Sequence, residues 1–203
     1  DGTPAVDYTI NAAVGVPWLT GHADDPRPVN HVLPAWDLLA GAQGAFSLLA
    51  AERDRAVSGR GRELRLALSD LAAATMGNLG NVAEVVLGGG SDRPRGGNNL
   101  FGAFGRDFST ADGERVMLVA ITPKQWTGLV NALGIGEAIA ALEDELGVSF
   151  ARDEGARFTH RMRVDALVET ALAGLPLAQV AQVFEQTGCT WSVYRTLSQA
   201  LDK

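Results

Sequence analysis

Residues 36–55 carry the strongest periodic signal in the chain. Leu38, Leu39, Ala42, Ala45, Phe46, Leu48, Leu49 and Ala50 recur at helical spacing and cover almost every face of the helix they predict. A helix that is apolar all round belongs in a large core or between subunits. Gly41 and Gly44 along it would let another backbone approach closely. Arg53 and Arg55 suit its last turn, where cations favour the helix dipole, and Gly59 and Gly61 stop it. Ahead of this helix, residues 1–35 are dense in turn formers (Gly15, Pro17, Gly21, Pro26, Pro28, Pro34) and read as irregular. Behind it, residues 63–68 alternate polar and apolar side chains, a strand signal. Ser69 or Asp70 then caps a second helix that runs to about Leu87.

The run GGGSDRPRGGNN at residues 88–99 breaks the periodicity and is the clearest boundary between two lobes. The second lobe reads as a small α+β unit. Residues 101–109 and 114–121 flank Ala111-Asp112-Gly113, whose Asp-Gly pair signals a hairpin. Thr122-Pro123 supplies a cap followed by proline at the first helical position, opening a helix to about Leu133 that Gly134 and Gly136 end. Further helices are predicted at 137–146, 158–173 and 176–186, with a short strand at 190–194. From Thr196 onward the pattern is a helix that is cut off rather than capped.

The composition supports a globular chain with a real core: 203 residues, 46% hydrophobic and 20% charged. A net charge of −7 argues against nucleic acid or an anionic membrane as the main partner, since both need a basic footprint. The most apolar stretch, residues 38–51, is too short for a bilayer and is broken by Gln43 and Ser47. A single cysteine excludes an internal disulfide framework and suits a reducing cytoplasm. The chain starts at Asp1 rather than Met, so a processed, trimmed or partial chain is expected. No Gly-Lys-Ser/Thr or paired Cys-x-x-Cys occurs, and His22, His31 and His160 are scattered, so no metal site is expected.

Asp37 is the carboxylate of most interest, and two readings stand side by side. At the first turn of the apolar helix it can simply cap the N-terminus. Alternatively it is a nucleophile, because a helix N-terminus favours negative charge and apolar surroundings leave a carboxylate poorly solvated. The glycine run is either a flexible hinge or a mobile lid whose amides meet an oxyanion. Arg93 and Arg95 within it suit a phosphate or carboxylate, or plain solvation. His31 can be a base or a structural histidine at a chain bend. Cys189 reads as a small buried hydrophobe, and the four dispersed tryptophans as core.

Three features stand together: Pro-Val-Asn-His-Val-Leu-Pro-Ala-Trp-Asp at 28–37, the spacing from Asp37 to Gly41 and on to Gly59-Arg-Gly61, and Leu66-Ala-Leu-Ser-Asp70. In this order they resemble the family III CoA-transferases, which include formyl-CoA transferases, carnitine CoA-transferases and 2-methylacyl-CoA racemases. Pro94-Arg-Gly-Gly-Asn98 resembles the start of that family's mobile glycine loop, and residues 108–113 and 121–126 the start of its small domain. The similarity lies in the order and spacing of these motifs and runs through nearly the whole chain. The phrases at 6–13, 30–37, 100–108 and 194–197 are similar to the subgroup that moves CoA within mesaconate from one carboxylate to the other.

The resemblance implies an α/β fold: part of a Rossmann-like large domain plus a small α+β domain, interlocked with a second copy in a homodimer. Residues 1–87 would close the first large-domain segment with a linker helix, 88–100 would form a glycine-rich hinge loop, and 101–203 the small domain and the start of a return linker. The chain would then be a central part of a longer one, inactive alone. Asp37 falls on the family's catalytic aspartate. Gly96, Gly97 and Asn98 fall on its substrate and oxyanion loop, and Asn30, His31, Gly41 and Arg95 are candidate CoA or acyl contacts. Coenzyme A enters as substrate together with a carboxylic acid, with no other cofactor. The racemases carry a histidine upstream of the aspartate. Anchoring on Ile10-Asn11 puts Tyr8 there, and a tyrosine, with an ordinary pKa near 10, is a poor proton shuttle. CoA transfer is therefore favoured, with a racemase and a non-catalytic CoA-binding or scaffold protein as the other readings.

Overall fold

A computed structural model describes residues 4–201 and divides the chain into two compact units, Asp1–Gly97 and Asn98–Lys203. The expectation of a chain cut at Asp1 and at Lys203 falls on residues outside the described range.

The regular elements of the first unit are all helices among its described residues: α1 (Asp7–Ala13), α2 (Val16–Leu19), α3 (Ala35–Ser58), α4 (Leu68–Asn78) and α5 (Asn81–Leu87). The two opening helices correct the irregular reading of residues 1–35. Helices this short do not stand alone in water, and α1 is held by two kinds of contact. Thr9 Oγ1 accepts from the Val6 N–H (2.9 Å), and Ile10 joins Trp36, Ala72 and Met76 in a buried cluster.

α3 is present where the periodicity puts it, but the first unit leaves its apolar faces in the open. Only Trp36 is buried, while Leu38 is 60%, Phe46 68% and Leu49 70% exposed. Outside its own helix, no atom of the described residues lies within 4 Å of where a Cβ on Gly41 would stand, so no other backbone among them approaches there. Residues 63–68 form no strand. They alternate, but no neighbouring strand pairs with them, and their charges make surface pairs such as Arg65 with Glu63. The helix expected from Ser69 or Asp70 to Leu87 starts earlier, without a side-chain cap. It breaks at Leu79-Gly80, where Gly80 adopts the left-handed conformation (φ 83°).

The second unit contains β1 (Phe104–Ser109), β2 (Arg115–Ala120), α6 (Pro123–Leu133), α7 (Gly136–Leu146), α8 (Glu154–Thr159), α9 (Arg161–Leu172), α10 (Leu177–Thr187), β3 (Thr190–Val193) and α11 (Leu197–Leu201). The strands form one antiparallel sheet in the order β1-β2-β3, with Phe104 opposite Ala120 and Val116 opposite Val193. The Asp-Gly turn closes the hairpin as predicted, with the Gly113 N–H donating to Thr110 O (3.0 Å). At the head of α6, Thr122 Oγ1 accepts from the Gln125 N–H (3.2 Å). Gln125 Oε1 in turn accepts from the Thr122 N–H (2.9 Å), which completes a capping box. The helix expected over 158–173 is two helices that meet at His160. The first begins early because Asp153 Oδ1 accepts from the Ala156 N–H (3.0 Å).

Helices pack on the sheet around Phe104, Phe108, Leu118, Trp126, Val168 and Phe184. Arg157 is buried among them, its Nη2 donating to Ile121 O (2.6 Å) and its guanidinium 5.3 Å from the Trp126 ring. Burial pulls its pKa below the usual guanidinium range. No single described helix is long and apolar enough to cross a membrane.

α6 and α10 meet backbone to backbone at Gly128. A Cβ there would lie 2.7 Å from the Thr187 carbonyl oxygen. Gly128→Ala is therefore expected to force the two helices apart and cost about 1–3 kcal/mol, read as a lower urea midpoint with an unchanged slope.

Candidate active site

The site grows from an unmet need at the head of α3. A helix exposes its first N–H groups without internal partners, and the residue in the capping position is Pro34, which has no side-chain acceptor. The acceptor comes instead from α1. Asp7, 2% exposed, turns its Oδ2 to the N–H groups of Trp36 (2.7 Å) and Asp37 (3.2 Å). One turn further along α1, the fully buried Asn11 accepts from the Trp36 indole N–H through Oδ1 (3.2 Å). Its Nδ2 donates to Asn30 Oδ1 (3.1 Å). His31 packs edge-on to Trp36, ring centres 6.4 Å apart. Both of its ring nitrogens, and Asp7 Oδ1, are buried without a hydrogen-bond partner among the described residues.

This geometry decides between the two readings of Asp37 as far as capping is concerned. Asp7 caps the helix and Asp37 does not. The Asp37 carboxylate is exposed and makes no hydrogen bond among the described residues. What stands at the head of α3 is an exposed carboxylate that caps no helix and bonds no partner among the described residues.

The other candidates fall in different places. Asn30 and His31 share the Trp36 neighbourhood with Asp37. Arg95 and Gly97 gather on residues 17–25 instead. The Arg95 guanidinium donates to the carbonyls of Asp25 (2.5 Å), Trp18 (3.1 Å) and Pro17 (3.5 Å) and lies 5.5 Å from the Trp18 ring. The Gly97 N–H donates to Gly21 O (3.1 Å). In this conformation both groups are thus engaged with the backbone and not turned to a substrate. Gly96 lies between them in the same loop. Asn98 belongs to the second unit, where its side chain hydrogen-bonds Asp107. Burial works against the charged Asp107, but Arg115 and Asn98 outweigh it and hold the carboxyl below the ordinary range. Gly41, on α3, faces open space.

The ordinary surface charges behave as expected: hydrogen bonds from Arg93 lower the Glu84 carboxyl, and those from Arg27 lower Asp25. A separate apolar cleft of about 300 Å³ in the first unit is lined by Trp18, Leu19, Met76 and Val82, with Glu84 and Arg93 also at its wall. No group of three His, Cys, Asp or Glu among the described residues is placed to hold a metal ion.

Sequence reasoning missed Asp7 and Asn11. The available signal was small: two polar residues four apart in a short segment, together with a proline where the long helix needed an acceptor.

Set beside known proteins, the sequence matches the profile of CoA-transferase family III over residues 1–203. It is 47% identical over 201 residues to a 2-methylfumaryl-CoA isomerase of Chloroflexus aurantiacus, covering 99% of this chain and 49% of that protein. A CAIB/BAIF family protein from Brucella suis matches in structure with a TM-score of 0.69 at 21% identity, over 98% of this chain and 50% of its own. A hypothetical protein from Mycobacterium tuberculosis matches with a TM-score of 0.74 at 22% identity, over 99% of this chain and 50% of its own. At these identities the two structures speak to the fold, which is mixed α and β as expected. The chain spans about half the length of the relatives it matches.

Replacing Arg95 with alanine removes its carbonyl contacts at once. The expected result is a loss of about 1–3 kcal/mol and faster tryptic cleavage after Arg93, read by thermal melting and limited proteolysis.

Proposed function

The chain belongs to CoA-transferase family III, and from that premise we propose that the full-length protein transfers CoA between carboxylates through a covalent intermediate on Asp37. The observation that carries this reading is the Asp37 carboxylate itself: exposed, without a hydrogen bond among the described residues and released from capping by Asp7. The relative's name supports a more specific form, in which donor and acceptor are the two carboxylates of one C5 dicarboxylic acyl-CoA such as mesaconyl-CoA.

The steps balance without an outside reactant. An Asp37 oxygen attacks the thioester carbonyl, the C–S bond breaks, and CoA thiolate leaves behind an acyl-aspartyl anhydride. The thiolate attacks the aspartyl carbonyl, giving an aspartyl-CoA thioester and freeing the substrate carboxylate. The other carboxylate of the same molecule attacks that thioester, regenerating an anhydride and the thiolate. The thiolate then takes the acyl carbonyl and returns Asp37 to its starting state. Coenzyme A acts as substrate throughout, and no further cofactor takes part. The amides of Gly96 and Gly97 would meet the oxyanions only after the Gly97 bond to Gly21 opens, which makes the loop a moving part of the cycle. An exposed apolar α3 supports a homodimer, since such surfaces mark interfaces.

Asp37→Ala in the full-length protein is expected to lower CoA exchange about a thousandfold, measured by isotope exchange between free and thioester-bound carboxylate. Undiminished exchange would sink the proposal. Solvent deuterium entering C2 without CoA movement would select the racemase reading, and no reaction of the wild-type protein with any acyl-CoA the non-catalytic one.

A further inference from the structure

We propose that Asp7 is a positioning residue for Asp37: it holds the head of α3 against α1 and takes up the N–H groups that the Asp37 carboxylate would otherwise cap. The inference rests on the proposed role of Asp37 and adds the residue that keeps that side chain available.

An aspartate in the first turn of a helix has a competing partner close at hand, the free N–H groups of its own turn. A carboxylate that folds back onto them is hydrogen-bonded, less basic and turned away from substrate. In this protein the competition does not arise. Asp7 Oδ2 already accepts from both Trp36 and Asp37.

The arrangement is also costly in a way that a plain cap is not. A buried carboxylate loses its hydration, and Asp7 Oδ1 is left without a hydrogen-bond partner among the described residues. A serine at position 34 would cap the same turn locally without burying a charge. A remote cap does one thing more: it fixes the head of α3 to another element. Asn11 repeats the link one turn further along α1, through the Trp36 indole. The first turn of α3 is thereby held from α1 at a main-chain group of Trp36, at its side chain, and at the main chain of Asp37. Catalytic groups held this way keep their geometry without help from substrate, and small displacements are expensive in rate.

Full-length Asp7→Ala, Asp7→Asn and Asp37→Ala proteins test this, with rates expressed per folded molecule as measured by circular dichroism. Asp7→Ala is expected to lower kcat by about tenfold or more while KM for the acyl-CoA stays within about threefold, because the uncapped turn draws in the Asp37 carboxylate without touching the binding surface. Asp7→Asn keeps an acceptor oxygen and is expected to recover most of kcat. If Asp7→Ala yields no folded protein, Asp7→Glu carries the comparison, with the same fall in kcat at constant KM. Unchanged kcat per folded molecule, or a rise in KM alone, would overturn the positioning role and leave Asp7 a structural cap or a substrate contact. Exchange that survives Asp37→Ala would overturn the proposed function instead. Loss in Asp37→Ala with kcat intact in Asp7→Ala overturns only this inference.

Discussion

The first unit is organised around one buried carboxylate. Asp7 reaches from a seven-residue helix to the head of a helix of 24 residues and supplies the acceptor that Pro34 cannot. Because it binds N–H groups rather than a side chain, the contact orients the whole first turn of α3. Trp36 then faces inward, where Asn11 holds its indole and Ile10, Ala72 and Met76 pack around it. Asp37, one residue on, is exposed and makes no hydrogen bond through its carboxylate among the described residues. A single hydrogen-bonding choice thus separates a structural residue from the proposed nucleophile at adjacent positions.

The remainder of α3 poses the opposite problem. Its leucines and Phe46 are apolar on faces that the first unit does not cover. Apolar surface of this extent marks an interface, which is in keeping with the proposed homodimer. The second unit encloses a continuous aromatic and aliphatic core with its own sheet and helices, and within it Arg157 meets a carbonyl and the Trp126 ring while its Nε and Nη1 are buried without a hydrogen-bond partner among the described residues.

Elements fixed by adjacent residues were legible in the sequence. The Asp-Gly hairpin, the Thr122-Pro123 helix start and the Gly134 stop each depend on side chains within a few positions of the event. Elements fixed by distant partners were not. α1 is too short for a periodic signal and exists because of what it touches across the unit, and α8 depends on the Asp153 cap. Residues 63–68 had the right alternation and no strand to pair with. The candidate site divides in the same way. Asp37 was identifiable by position and resemblance, but whether it capped its helix depended on Asp7, 30 residues upstream. Arg95 and Gly97 were identifiable as loop residues, while their engagement with residues 17–25 arises only in the folded chain.

The central claim is that Asp37 is free to become acylated. Peptide mapping by mass spectrometry, on the full-length protein quenched during turnover of mesaconyl-CoA with hydroxylamine present, tests it most directly. A hydroxamate is expected on the peptide that contains Asp37 and on no other carboxylate. Turnover with that peptide unmodified, or with the mark on a different residue, would contradict it.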